Sequence, residues 1–156
     1  MDSMKLTRYL NIKFGNNTSS INCIAHMLHA CFFARSFASF WRHWNPLWSY
    51  FLLYYVYKPL SSVIKKRYAN FSTFVISGFV HDCVAMLLTF KLSIVMTTFF
   101  SMCAGLVAIE NALKVNMTSA NKILKALYHC SFLLISALPA VVVFQSFWTT
   151  TTTQNS

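Results

Sequence analysis

Charge is the scarcest resource in this sequence. Only 10% of its 156 residues are charged, and the acidic ones number 3 against 13 Lys and Arg. With 56% hydrophobic and 17% aromatic residues, that shortage excludes a soluble domain of ordinary composition and indicates a single integral membrane domain. A dense basic tract is also missing. The net charge of +10 comes from Lys and Arg dispersed in short groups between apolar runs, so no nucleic-acid partner is expected and a positive-inside topology accounts for the charge. The five cysteines, Cys23, Cys31, Cys83, Cys103 and Cys130, sit in apolar segments with no C-x-x-C spacing, which argues against a disulfide framework or a zinc site. No internal repeat is visible. No A-x-A cleavage site follows the first apolar run, so an uncleaved first helix is expected.

What remains is a chain of hydrophobic segments, predicted to be an all-α integral membrane fold. Residues 1–20 form a polar, basic segment ending in the loop signal Gly15 to Ser20. Residues 21–148 form one membrane-embedded domain, and 149–156 a polar tail without charged side chains. Three runs near 71–90, 92–109 and 128–148 are long enough for full crossings. Segments near 21–34, 35–44 and 46–57 are too short and are predicted to be interfacial or re-entrant helices. The basic loops at 58–67 and 110–127 then share the cytoplasmic side, as does the N-terminus, with Lys91 opposite.

The stretch Ala34 to Pro59 carries the densest pattern. Phe37, Phe40, Trp41 and Trp44 fall on one helical face with Arg35, Ser39 and Arg42 opposite, the layout of a helix whose rings settle at the hydrocarbon boundary. Asn45-Pro46 ends it and reads as the N-cap and first residue of a new helix, which Lys58-Pro59 closes. Asn22, His26 and His29 share a polar face of the first apolar segment. No carboxylate accompanies them, so a hydrogen-bonded face is favoured over a metal site.

His81 is the most informative side chain. It falls near the middle of the 71–90 run with Ser77, Gly78 and Ala85 on its face, small residues that admit either a close helix or a substrate. An ionisable group there costs on the order of 3 kcal/mol, which makes function its default reading beside a structural hydrogen-bonding role. Asp82 points about 100° away and carries the same two readings.

The segment Ser36 to Asn45 (S-F-x-x-F-W-R-x-W-N), the Y-V-Y-K-P-L run at Tyr55 to Leu60 and F-x-x-S-G-x-x-H at Phe74 to His81 together resemble the C-terminal portion of the membrane-bound O-acyltransferase family. The resemblance implies acyl transfer from a thioester, acyl-coenzyme A or another, to a hydroxyl on a lipid or glycan, with no bound cofactor. It maps the family histidine to His81, as general base, and its second position to Asn45, as an orienting or oxyanion-stabilising group. Trp41, Arg42, Trp44, Ser77 and Asp82 are the accompanying substrate-binding candidates, and Lys65, Lys66 and Arg67 are expected to attract phosphates. Asp82 after the histidine departs from the commoner family patterns. Typical members are longer, with many crossings before these motifs. The resemblance therefore implies a compact, bacterial-type member in the cytoplasmic membrane, surrounded by lipid, whose cavity is completed by a second copy or a partner membrane protein. The alternative is a reduced, noncatalytic relative that binds lipid or a partner helix. A proton pathway through His26, His29, His81 and Asp82 is less favoured, because no polar ladder spans a helix.

Overall fold

The computed structural model describes residues 5–14 and 20–153, and these form helices and turns with no strand among them. In chain order they are α1 (Leu6–Phe14), α2 (Ser20–Phe32), α3 (Phe37–His43), α4 (Pro46–Phe51), a π-helix (Leu52–Tyr57), α5 (Lys58–Val63), α6 (Lys66–Thr89), α7 (Val95–Leu113) and α8 (Lys122–Thr153). Three of them, Lys66–Thr89, Val95–Leu113 and the Lys122–Ser146 part of α8, are long and apolar enough to cross a membrane.

The three long helices form an antiparallel hairpin sequence, α6 against α7 and α7 against α8. Gly78 explains how closely the first pair packs. A Cβ on it would lie 2.6 Å from Thr97 Cα and 2.7 Å from the Met96 carbonyl oxygen, so the α7 backbone occupies the space a side chain would need. This topology brings Lys65, Lys66 and Arg67 to the same end of the bundle as Lys114, Lys122 and Lys125, and leaves Lys91 at the other.

Between α2 and α6 the chain makes an excursion through α3, α4, the π-helix and α5. It leaves and returns at the end where α6 begins, yet Trp48 of α4 reaches Ser77, about three turns along α6. Pro59 does not close the excursion, because α5 carries the helix on to Val63. A proline ring clashes with the carbonyl four residues back in a regular α-helix, and here the wider π turn precedes it, with Lys58 N donating to Leu53 O.

The amphipathic pattern of α3 is used differently from the expected interfacial placement. Phe37 and Phe40 are buried with Cys31, Ala34, Cys103 and Val107, and Phe132 and Leu133 of α8 pack against them. Their rings fill the protein core, while Trp44 at the end of the same face is 38% exposed.

Other boundaries moved for local reasons. Within the polar 1–20 segment, residues 6–14 form α1, which Tyr9 docks on Tyr50 with ring centroids 5.4 Å apart. Helix α7 continues past the expected stop at Ile109, because Glu110 is satisfied by partners in other helices. Residues 149–153 of the expected tail belong to α8. The rest of that tail, 154–156, and Gly15 to Ser19 of the expected loop lie outside the described residues.

Candidate functional site

His81 is held by its own helix. Its Nδ1 lies 2.7 Å from the Ser77 carbonyl oxygen, which can only accept, so Nδ1 carries the hydrogen and the neutral ring keeps its lone pair on Nε2. The ring is exposed on the side of α6 and flanked by two aromatics, Trp48 at 5.5 Å in an edge-to-face arrangement and Phe100 of α7 at 5.4 Å. Ser77 itself is buried, and its hydroxyl accepts from Trp48 Nε1 at 2.9 Å.

Asn45 joins this group through Trp48. It is the N-cap of α4 with a left-handed backbone (φ 40, ψ 76), a region asparagine tolerates better than most residues, and Oδ1 accepts from Trp48 N at 3.1 Å. The result is a continuous run, Asn45 to Trp48 to Ser77 to His81. Capping uses Asn45 Oδ1, leaving its amide NH₂ as the group that can donate outward. Trp41 backs the same region, packing against Phe74, Phe99 and Phe100, with its indole N–H buried and unpartnered.

Asp82 faces the other way. Only 1% exposed, it uses Oδ1 to accept from Ser93 Oγ (2.9 Å) and Met96 N (3.0 Å), and Oδ2 to accept from Thr97 N and Thr97 Oγ1 (both 2.7 Å). It caps the start of α7 from the body of α6, as a carboxylate near a helix N-terminus should. Glu110 does the same for α3, accepting from Phe37 N, Ala38 N (2.9 Å) and Tyr128 Oη (2.6 Å). Both acidic side chains among the described residues thus fasten one helix to another.

The chain from residue 16 to 140 matches the model of the membrane-bound O-acyltransferase family. This chain belongs to that family. No curated protein and no solved structure matches it.

Of the residues that the family resemblance singles out, the structure gathers His81, Ser77 and Asn45 around Trp48, with Trp41 behind Phe100. It does not bring Arg42 or Trp44 to His81: Arg42 lines a separate cavity, and Trp44 stacks on Phe40 with centroids 5.8 Å apart. Asp82 is occupied at the α6–α7 contact. Lys65, Lys66 and Arg67 are exposed around the start of α6. Among the described residues no group of three His, Cys, Asp or Glu gathers to hold a metal.

Sequence reasoning missed Trp48 and Phe100. Trp48 had one available signal, its place three residues after an N-cap asparagine, whereas Phe100 had none. It also missed His129 of α8, which is fully buried between Phe37 and Phe40, with Nε2 3.1 Å from the Ala34 carbonyl oxygen and Nδ1 without a partner.

Proposed function

We propose that this membrane-bound O-acyltransferase family member transfers an acyl group from a thioester, an acyl-coenzyme A or a related donor, to a hydroxyl on a lipid or glycan, with His81 as the general base. The observation that carries the reading is the 2.7 Å bond from His81 Nδ1 to the Ser77 carbonyl, which in the neutral ring leaves the lone pair on Nε2 of an exposed residue.

In this mechanism Nε2 takes the proton of the acceptor hydroxyl as its oxygen attacks the thioester carbonyl. The tetrahedral oxyanion that forms is stabilised by the Asn45 amide. Collapse breaks the carbon–sulfur bond, and the departing thiolate takes the proton back from the imidazolium, giving ester and free thiol. Trp48 sets the geometry, since it holds Asn45 by its backbone N–H and Ser77 by its indole. Lys65, Lys66 and Arg67, exposed around the start of α6, supply positive charge for the donor's phosphates.

The test is thiol release with acyl transfer in membranes containing the full chain, across short- and long-chain acyl-coenzyme A donors. Donor-dependent transfer that disappears in His81→Ala, at undiminished protein level, supports the assignment; normal turnover by that variant removes it.

A second reading rests on the exposure of the His81 face. In it the protein is a noncatalytic membrane subunit whose Trp48–His81–Phe100 surface receives a helix of another membrane protein or a second copy. Under it, cross-linkers placed near Val80 and Val84, both exposed on α6, capture a stoichiometric partner, and no donor is consumed.

A further inference from the structure

A second polar site lies away from His81. A cavity of about 270 Å³ opens at the end of the bundle where α7 stops, lined by Arg35, Ser36, Arg42, Asn111, Lys114 and Asn116, with Glu110 and two apolar residues in its wall. Three cations against one carboxylate leave this lining net positive. The carboxylate is turned to other work, because both Glu110 oxygens accept hydrogen bonds from α3 and Tyr128.

The walls are built rather than loose. Lys114 is the C-cap of α7, in the left-handed region at φ 53, with its N–H donating to Glu110 O and Asn111 O. Met117 N donates to Arg35 O at 2.9 Å, which ties the loop after α7 to the start of α3. Asn116 Oδ1 accepts from Thr118 N and Oγ1, so its amide NH₂ is the part left to donate. The cavity therefore presents the Arg35 guanidinium, the Lys114 ammonium and amide donors. It does so just beyond Leu113, the last residue of a membrane-spanning helix, which is headgroup depth.

We propose that this cavity binds a phosphoryl group, either the phosphate of an anionic phospholipid headgroup or a soluble phosphate ester. Arg35 offers a forked donor to phosphate oxygens and Lys114 a point charge. The proposal does not rest on acyl transfer, and its test contains no acyl donor.

The full chain is reconstituted in phosphatidylcholine nanodiscs, and retention of spin-labelled phosphatidic acid is compared with that of spin-labelled phosphatidylcholine. A preference for phosphatidic acid is expected, and it should fall about tenfold in Arg35→Gln/Lys114→Gln. It should persist in the charge-conserving Arg35→Lys/Lys114→Arg and in Lys91→Gln at the far end. Displacement by millimolar inorganic phosphate identifies a site open to soluble phosphates. Resistance to it identifies a headgroup site. Equal retention of both lipids by the native protein, together with no binding of inorganic phosphate, overturns the proposal. So does an undiminished preference in the folded Gln double variant.

Discussion

His81 and His129 are the same side chain put to opposite uses. His81 gives its Nδ1 hydrogen to its own helix and keeps Nε2 on an exposed face. His129 gives its Nε2 hydrogen to Ala34, in the link between α2 and α3, and its remaining nitrogen is sealed among Phe37 and Phe40. Burial alone therefore does not mark a working histidine in this bundle. A lone pair walled in by phenyl rings has no route for a proton, whereas one beside Trp48 at the edge of α6 can meet a substrate. The acidic groups make the same point from the other side. Asp82 and Glu110, the most expensive side chains to bury, are both committed to helix N-termini.

The contrast predicts a split between activity and stability. His81→Ala should lower acyl transfer by about 10²- to 10⁴-fold, the usual scale for a general base, with little change in thermal stability in detergent. His129→Ala should do the reverse. It removes a buried ring from the α2–α3–α8 contact and should destabilise by about 2–5 kcal/mol, read as a lower unfolding midpoint, while the folded fraction keeps its turnover.

Next in size is Asp82→Ala, which strips four hydrogen bonds from the start of α7 and should destabilise by about 1.5–3 kcal/mol. If Asp82 instead acts in catalysis, Asp82→Asn will abolish transfer in protein of native stability, and the comparison will need redrawing. Gly78→Ala forces a Cβ against the Thr97 backbone and should cost about 1–3 kcal/mol by the same unfolding measurement, with α7 displaced from α6.

A smaller loss of stability than these is expected from Trp48→Phe, which keeps a ring beside His81 but loses the 2.9 Å bond to Ser77, about 0.5–1.5 kcal/mol. Its use lies in the kinetics. Releasing Ser77 from the indole should lower turnover more than donor binding, since Ser77 holds His81 while other residues meet the donor's phosphates.

How much of this was legible in the sequence depends on the range of the forces involved. The three long apolar helices were readable because a run of about twenty apolar residues has little choice in a bilayer. The family motifs pointed to His81 and Asn45, and the N-cap role of Asn45 followed from the proline after it. Partners were not readable. A lone acid after an apolar run usually meets water, which puts the expected end of a helix at Glu110. Here its bonds go to Phe37 N and Ala38 N, 73 and 72 residues away, and no local pattern encodes that. The aromatic face of α3 was read as facing lipid, yet an apolar stripe looks the same whether a bilayer or α8 covers it. Helix α1 was hidden because nine residues of mixed polarity make a weak signal, and its docking depends on the tertiary contact between Tyr9 and Tyr50.

The central claim is that His81, and not the buried His129, carries the chemistry. The direct measurement is thiol release from acyl-coenzyme A by His81→Ala and His129→Ala, compared at equal amounts of folded protein in the same membranes. The account predicts loss of donor-dependent release in the first and near-native release per folded molecule in the second. Native release by His81→Ala, or loss confined to His129→Ala, would contradict it.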